Sequence, residues 1–375
     1  MTEERKTALE NLIYLSECVF NGRVPDTGRA GSMDLNSLYA AAKAHSMCSV
    51  AAYALEKAGI RSEAFVQARA KAMRKTAAVE DELMQLLAQM ESAGVWYLPL
   101  KGAVLKDFYP GFALREMSDI DVLFDPAGAD KVREIFLGMG YTVKAFGDRI
   151  HDIYQKKPMY HFEMHRQLFG RNKGAFFRCY ENVSQRLVPD GKSKYGRRFT
   201  PEDFYVFLNA HEYKHVSGSG TGLRSLADEY LYLKRMGQSL DWTYIGAELD
   251  KLGIREFEEE NRRLADRIFG GEPVTNEVLE AMEHIVSSGT YGNRENKVRN
   301  GIARSGGGTA GKLRYFFSRV FMPLDEIRQT FPFVYRTKVF IPLLPAIRLV
   351  RGVLFRRKQM KTELKILFGK EKKTE

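Results

Sequence analysis

Between residues 95 and 169 the hydrophobic pattern of this chain changes period, and that change limits the folds open to it. Upstream, residues 4–94 carry helical spacing throughout. Leu35, Leu38, Ala42, Val50, Tyr53 and Leu55 form a stripe that predicts a helix over 35–60, stopping at Gly59, and Leu83, Leu86, Leu87 and Met90 form the next stripe. After Gly94 the pattern shortens. VWYLPL (95–100) is a strand-length apolar run bounded by Gly94 and Lys101-Gly102, and DIDVLF (119–124) alternates aspartates with Ile120, Val122 and Phe124. A short helix over 103–108 and the turn Tyr109-Pro110-Gly111 separate the two. ADKVREIFLGMGY (129–141) reads as an amphipathic helix, and YTVKAF (141–146), IHDIYQ (150–155) and MYHFEMHRQLF (159–169) as strands. From Pro201 the helical period returns in PEDFYVFLNAHEYKHV, LRSLADEYLYLKRM, WTYIGAELDKLGI and a charged stretch around 255–268. The expected fold is α+β, a small α/β core with a mixed sheet flanked by helical regions, in four parts: 1-94, 95-170, 171-300 and 301-375.

The chemistry concentrates in the core. Residues i and i+2 of a strand share a face, so Asp119 and Asp121 point the same way while Ile120 points inward. Two close carboxylates repel each other unless a cation lies between them, and Mg²⁺ (or Mn²⁺) commonly binds one or two carboxylates together with substrate phosphates. Taken alone, the pair could equally be a solvated strand end. Glu163 adds a third carboxylate, on a strand face shared with His161 and His165. If that strand lies beside 119–124, the three carboxylates form one metal cluster. His-x-Glu-x-His could instead hold zinc, but no fourth ligand can be placed. Upstream, Lys101-Gly102 sits where a strand gives way to a helix, where Gly permits close backbone approach and free N–H groups favour an anion such as a triphosphate. Arg115 would add charge there and Ser118 a hydrogen-bond donor.

The ordered series LKG, YP, Arg115, SDIDVLF, FEMHRQLF, HEYKH and LADEYL resembles the uncharacterised nucleotidyltransferase family, a bacterial branch of the DNA polymerase beta-like nucleotidyltransferase superfamily. The likeness extends over most of the chain, including its C-terminal segment. It implies a polymerase beta-like core that transfers a nucleoside monophosphate from an NTP, with ATP the expected donor, to an acceptor hydroxyl or phosphate, releasing pyrophosphate. By that resemblance Asp119, Asp121 and Glu163 are the metal-binding and catalytic carboxylates, and Lys101-Gly102 takes the place of the superfamily's Gly-Ser element, on the helix that touches the nucleotide phosphates. One position departs from the superfamily pattern. Ala103 follows Gly102 where a serine is usual, which leaves a non-catalytic nucleotide-binding or regulatory protein as the alternative.

Other features bear on partners. His211 and His215 lie four apart on one helix face, and His211 is a candidate contact for nucleotide or acceptor; Arg224 and Asp228, also four apart, read as a helix salt bridge. The net charge of +11 comes from the end of the chain: residues 301–375 hold 17 Lys and Arg against 5 Asp and Glu. A basic tail suits an anionic partner such as RNA, a phosphorylated substrate or a membrane surface. VFIPLLPAI (339–347) is too short to span a bilayer. The N-terminus lacks the pattern of a signal peptide, and Cys18, Cys48 and Cys179 show no paired spacing; both suit a cytoplasmic protein, with peripheral membrane contact through the tail left open. Gly306 to Lys312 matches a P-loop spacing, but Leu313 stands where Ser or Thr should follow. The acceptor is a small molecule, a peptide, a protein or RNA, and sequence does not choose among them.

Overall fold

The computed structural model describes residues 2–147, 150–272, 275, 278, 279, 282, 285, 289, 290, 294–322, 324, 327, 331–355, 363, 366 and 367. The chain forms two compact units, one of residues 1–213 and 222–283, the other of 214–221 and 284–375.

The first unit begins with helices α1 (Glu3–Phe20), α2 (Thr27–Gly31), α3 (Leu35–Ala44), α4 (Cys48–Lys57) and α5 (Glu63–Ser92). Side chains cap several of them: Thr2, Asp26 and Asp34 accept the amides of Arg5, Arg29 and Asn36. The single helix predicted over 35–60 is two. Ser46 adopts a left-handed φ of 53°, and the Met47 amide turns back to the Ala42 carbonyl at 2.8 Å. The cause is tertiary, because the buried His45 accepts the Leu223 amide at Nδ1 (3.2 Å), far along the chain.

The α/β core follows as β1 (Tyr97–Pro99), α6 (Gly102–Leu105), β2 (Ile120–Phe124), α7 (Ala129–Gly138), β3 (Thr142–Ala145), β4 (His151–Lys156) and β5 (Tyr160–His165). The five strands form one mixed sheet in the order β1-β2-β5-β4-β3. Only β2 and β5 run parallel; the other three pairings are antiparallel. One sheet face (Ile120, Val122, Phe124, Tyr154, Phe162, Met164) packs on Leu86 and Met90 of α5 and on Val132 and Phe136 of α7. Across the sheet, Leu98, Leu100 and Leu123 join a second core with Tyr205, Phe207, Ile245 and Leu249. Strand β2 is therefore buried on both sides, which explains its continuous apolar character between the aspartates.

Next come α8 (Ala175–Tyr180) and a two-stranded sheet of β6 (Leu187–Pro189) and β7 (Arg197–Phe199), none of which the sequence pattern indicated. Helices α9 (Pro201–Val216), α10 (Leu223–Met236), α11 (Trp242–Leu252) and α12 (Arg255–Phe269) fall where predicted. In the second unit lie α13 (Arg294–Arg304), α14 (Gly308–Val320), α15 (Pro332–Thr337) and α16 (Leu344–Phe355). The P-loop spacing at 306–312 runs from the turn after α13 into the first turn of α14, with Gly306, Gly307 and Gly308 all at positive φ and a helix, not a strand, before it. No described helix is long and apolar enough to cross a membrane.

Two buried polar clusters lie within the first unit. Arg115, just before β2, donates from Nε and Nη2 to both Asp228 oxygens on α10 (2.8 and 2.7 Å), and the Tyr109 hydroxyl donates to the same carboxylate at 2.8 Å. The Arg224–Asp228 helix pair read from spacing is not formed, since Arg224 instead donates to the Glu116 carbonyl (2.8 Å). Removing one partner of a buried pair strands the other's charge, so Asp228→Ala should cost about 3–5 kcal/mol in urea unfolding. Deeper in the helical part, the Tyr205 hydroxyl lies 2.9 Å from Glu229 and 2.6 Å from Glu258. Burial first, with Glu258 adding, pushes the Glu229 carboxyl up to about 8. The folded chain then keeps a proton that the unfolded chain releases above about 4.5, so Glu229 lowers stability progressively as pH rises from about 4.5 to about 8. Glu229→Gln should flatten the unfolding midpoint across that window, a difference of up to about 1.4 kcal/mol per pH unit.

Candidate active site

Register brings the predicted carboxylates together. In the parallel β2–β5 pair Asp121 stands opposite Glu163, while Ile120 stands opposite Phe162 and Val122 opposite Met164. Alternation then puts Asp121 and Glu163 side by side on the face turned away from the α5–α7 core. Asp119, one residue before β2, shares that side and is partly exposed. Strand β4 pairs antiparallel with β5, setting His151 opposite His165 and Ile153 opposite Glu163. His151, His161 and His165 therefore surround Glu163 on one sheet face.

Lys101 supplies the cation. It ends the β1 edge with φ 45° and ψ −112°, a left-handed conformation that costs a non-glycine residue roughly 1–3 kcal/mol and persists only where the surroundings impose it. From there its Nζ donates to Asp121 Oδ1 at 2.8 Å. His165 Nε2 lies 2.8 Å from the same oxygen. Burial alone would raise the Asp121 pKa, but Lys101 and His165 outweigh it and hold the carboxyl well below the usual range.

Glu163 has the opposite environment. Burial, then the Asp121 charge, pushes its carboxyl up. His151 Nε2 and His165 Nε2 lie 3.8 and 3.9 Å from its Oε2, beyond hydrogen-bond length. Two sets of side chains bring ligand atoms within 4.8 Å of one another: Asp119, His161 and Glu163, and His151, Glu163 and His165. Asp121 is in neither set.

The remaining predicted residues are distributed differently. Gly102 is buried beside the cluster, but a Cβ there would lie 2.5 Å from Nη1 of Arg115, so its small size is needed for that guanidinium to pack. Arg115 itself is 7% exposed and donates from Nε and Nη2 to Asp228. Ser118 directly precedes Asp119, and Lys75 reaches the carbonyls of Met117 (2.7 Å) and Ser118 (3.5 Å). His211 lies on α9, half-buried with its ring 6.0 Å from that of Phe207. The residue that sequence reasoning missed is His151. IHDIYQ is legible as a strand, but only its pairing with β5 carries that histidine to Glu163.

No curated protein matches the chain. Among solved structures, the solution structure of the antibiotic-resistance factor ANT(2'')-Ia is similar, with a TM-score of 0.35 and 12% identity over 48% of this chain and 94% of that chain. Residues 31–270, which include the whole five-stranded sheet and every site residue named above, match the family described as uncharacterised nucleotidyltransferase. The chain belongs to that family.

Proposed function

We propose that this nucleotidyltransferase moves a nucleoside monophosphate from an NTP, with ATP as the donor, to an acceptor hydroxyl or phosphate and releases pyrophosphate. The observation that carries the reading is the register of Asp121 against Glu163, with Asp119 and Lys101 at the same strand ends. The donor set fits a divalent cation. Asp119 and Glu163 bring ligand oxygens within 4.8 Å of each other, Asp121 stands opposite Glu163 in register, and among the described residues no hydrogen-bond donor reaches Glu163, while Lys101 is the single ammonium bonded to Asp121. Asp119, Asp121 and Glu163 would hold Mg²⁺ or Mn²⁺, which when bound neutralises charge on the phosphate oxygens.

The chain's own residues do the rest. Lys101, released from Asp121, offers its ammonium to the triphosphate, with Gly102 and Ser118 lining the same strand end. Arg115 acts as a positioning residue, since its pairing with Asp228 fixes the segment that leads into β2. Glu163, opposite Asp121 in register, helps take the proton of the acceptor. His211 is the candidate contact to nucleotide or acceptor. The acceptor is a small molecule such as a sugar or antibiotic, a peptide, a protein or RNA.

With α-labelled NTP and a bacterial lysate as acceptor source, the wild type should transfer label and chelation of divalent metal should abolish transfer. Asp119→Asn and Asp121→Asn should each lower turnover by about two to three powers of ten, the equivalent of several kcal/mol of metal stabilisation. Full activity in Asp121→Asn would refute the assignment. Binding of NTP by calorimetry without transfer to any acceptor would establish the non-catalytic alternative.

A second reading concerns the second unit and is supported by its exposed apolar residues. On α14, Gly311 and Tyr315 are buried, and Tyr315 packs with Val298 and Ile302 of α13, yet Leu313, Phe317 and Phe321 are exposed at intervals of four. Leu343, Ile347 and Val350 are likewise exposed on and just before α16. Apolar stripes among the 17 basic residues of 301–375 suit the interface of an anionic bilayer. The full chain should float with anionic vesicles, lose that binding as salt rises, and bind less after Phe317→Ser. Equal binding to neutral vesicles would count against the electrostatic part of this reading.

A further inference from the structure

The polymerase beta-like resemblance calls for carboxylates only, yet three histidines stand on the same sheet face. Two of them, His151 and His165, come from adjacent strands in direct register. Each Nε2 points at Glu163 Oε2 from just under 4 Å, too far for a hydrogen bond. Donor atoms that share one ion with bonds of about 2.0–2.2 Å stand roughly 3–4 Å apart, which is the spacing found here. One ring nitrogen of each histidine and one Glu163 oxygen all lie within 4.8 Å of one another. A further observation points the same way. The His165 side chain is 6% exposed, and its Nδ1 is buried with no hydrogen-bond partner. An imidazole nitrogen left without a partner inside a protein costs about 1–3 kcal/mol, so this one calls for an explanation.

We propose that His151, Glu163 and His165 form a nitrogen-bearing metal subsite that takes a first-row transition ion, of the Mn²⁺, Co²⁺ or Zn²⁺ class, in preference to Mg²⁺. Imidazole suits such ions, whereas Mg²⁺ keeps to oxygen ligands and retains its waters. Glu163 also belongs to the Asp119–His161–Glu163 set, so the two sets meet on one carboxylate. The subsite thus deepens the nucleotidyl-transfer reading and rests on it for its catalytic meaning. Its binding chemistry stands on the three side chains alone.

The test is metal binding by the full chain with no nucleotide present. Calorimetric titration with Co²⁺ should give at least about tenfold tighter binding than Mg²⁺, and His151→Ala should weaken Co²⁺ by about 10–100-fold while changing Mg²⁺ little. Pulsed electron paramagnetic resonance on Mn²⁺-loaded wild type should show coupling to imidazole nitrogen, a readout that needs no substitution and does not depend on how a variant folds. Absence of nitrogen coupling, unchanged Co²⁺ affinity in His151→Ala, or failure to bind Co²⁺ would each overturn the subsite. Nitrogen-coupled metal in a chain that transfers no label would sustain the subsite and refute the transfer reading. Label transfer with Mg²⁺ and no nitrogen coupling would do the reverse.

Discussion

Two strands can run parallel in one sheet only if the chain between them crosses back, and between β2 and β5 it does so through α7, β3 and β4. That crossover fixes everything near the site. It sets Asp121 opposite Glu163 and turns Phe162 and Met164 into the core shared with α5 and α7. It also delivers β4 to the far side of β5, which brings His151 into reach. A one-residue slip in this pairing would send Glu163 into the apolar core and Phe162 to the polar face, so burial of the one face enforces the geometry of the other.

The site separates its carboxylates by environment. Asp121, between the Lys101 ammonium and the His165 ring nitrogen, stays ionised despite its burial. Glu163, a neighbouring side chain on the same face, has neither partner within hydrogen-bond distance and holds its proton more tightly. Groups pushed apart in this way can take different roles in one reaction. The strained backbone at Lys101 fits the same pattern, because the left-handed turn lets a residue at the end of β1 reach a carboxylate on β2.

Support for this geometry comes from further along the chain. Asp228 of α10 clamps Arg115, and Arg115 packs against Gly102, so the segments on either side of the site are tied to one helix. His45 performs a comparable service for α3 and α4 by accepting the first amide of α10. Burial holds the His45 imidazole at about 4, well below its ordinary value, so it stays neutral and keeps the lone pair that this hydrogen bond requires.

Much of this was legible in the chain itself. The change of period at Gly94, the alternation in DIDVLF and the amphipathic pattern of 129–141 located the core, because side-chain periodicity is a local property that burial of one face imposes on every strand and helix. The same alternation put Asp119 and Asp121 on one strand face, and the pairing of β2 with β5 set Glu163 opposite Asp121. Residues whose meaning lies in distant contacts were not legible. The break at Ser46 depends on His45 meeting Leu223, the charge of Arg115 is taken by Asp228, and the short strands β6 and β7 carry too few residues to show a period. His151 was the clearest case. Sequence assigned it to a strand, but which strand lay beside it, and therefore which carboxylate it faced, was decided only when long-range pairing set β4 against β5.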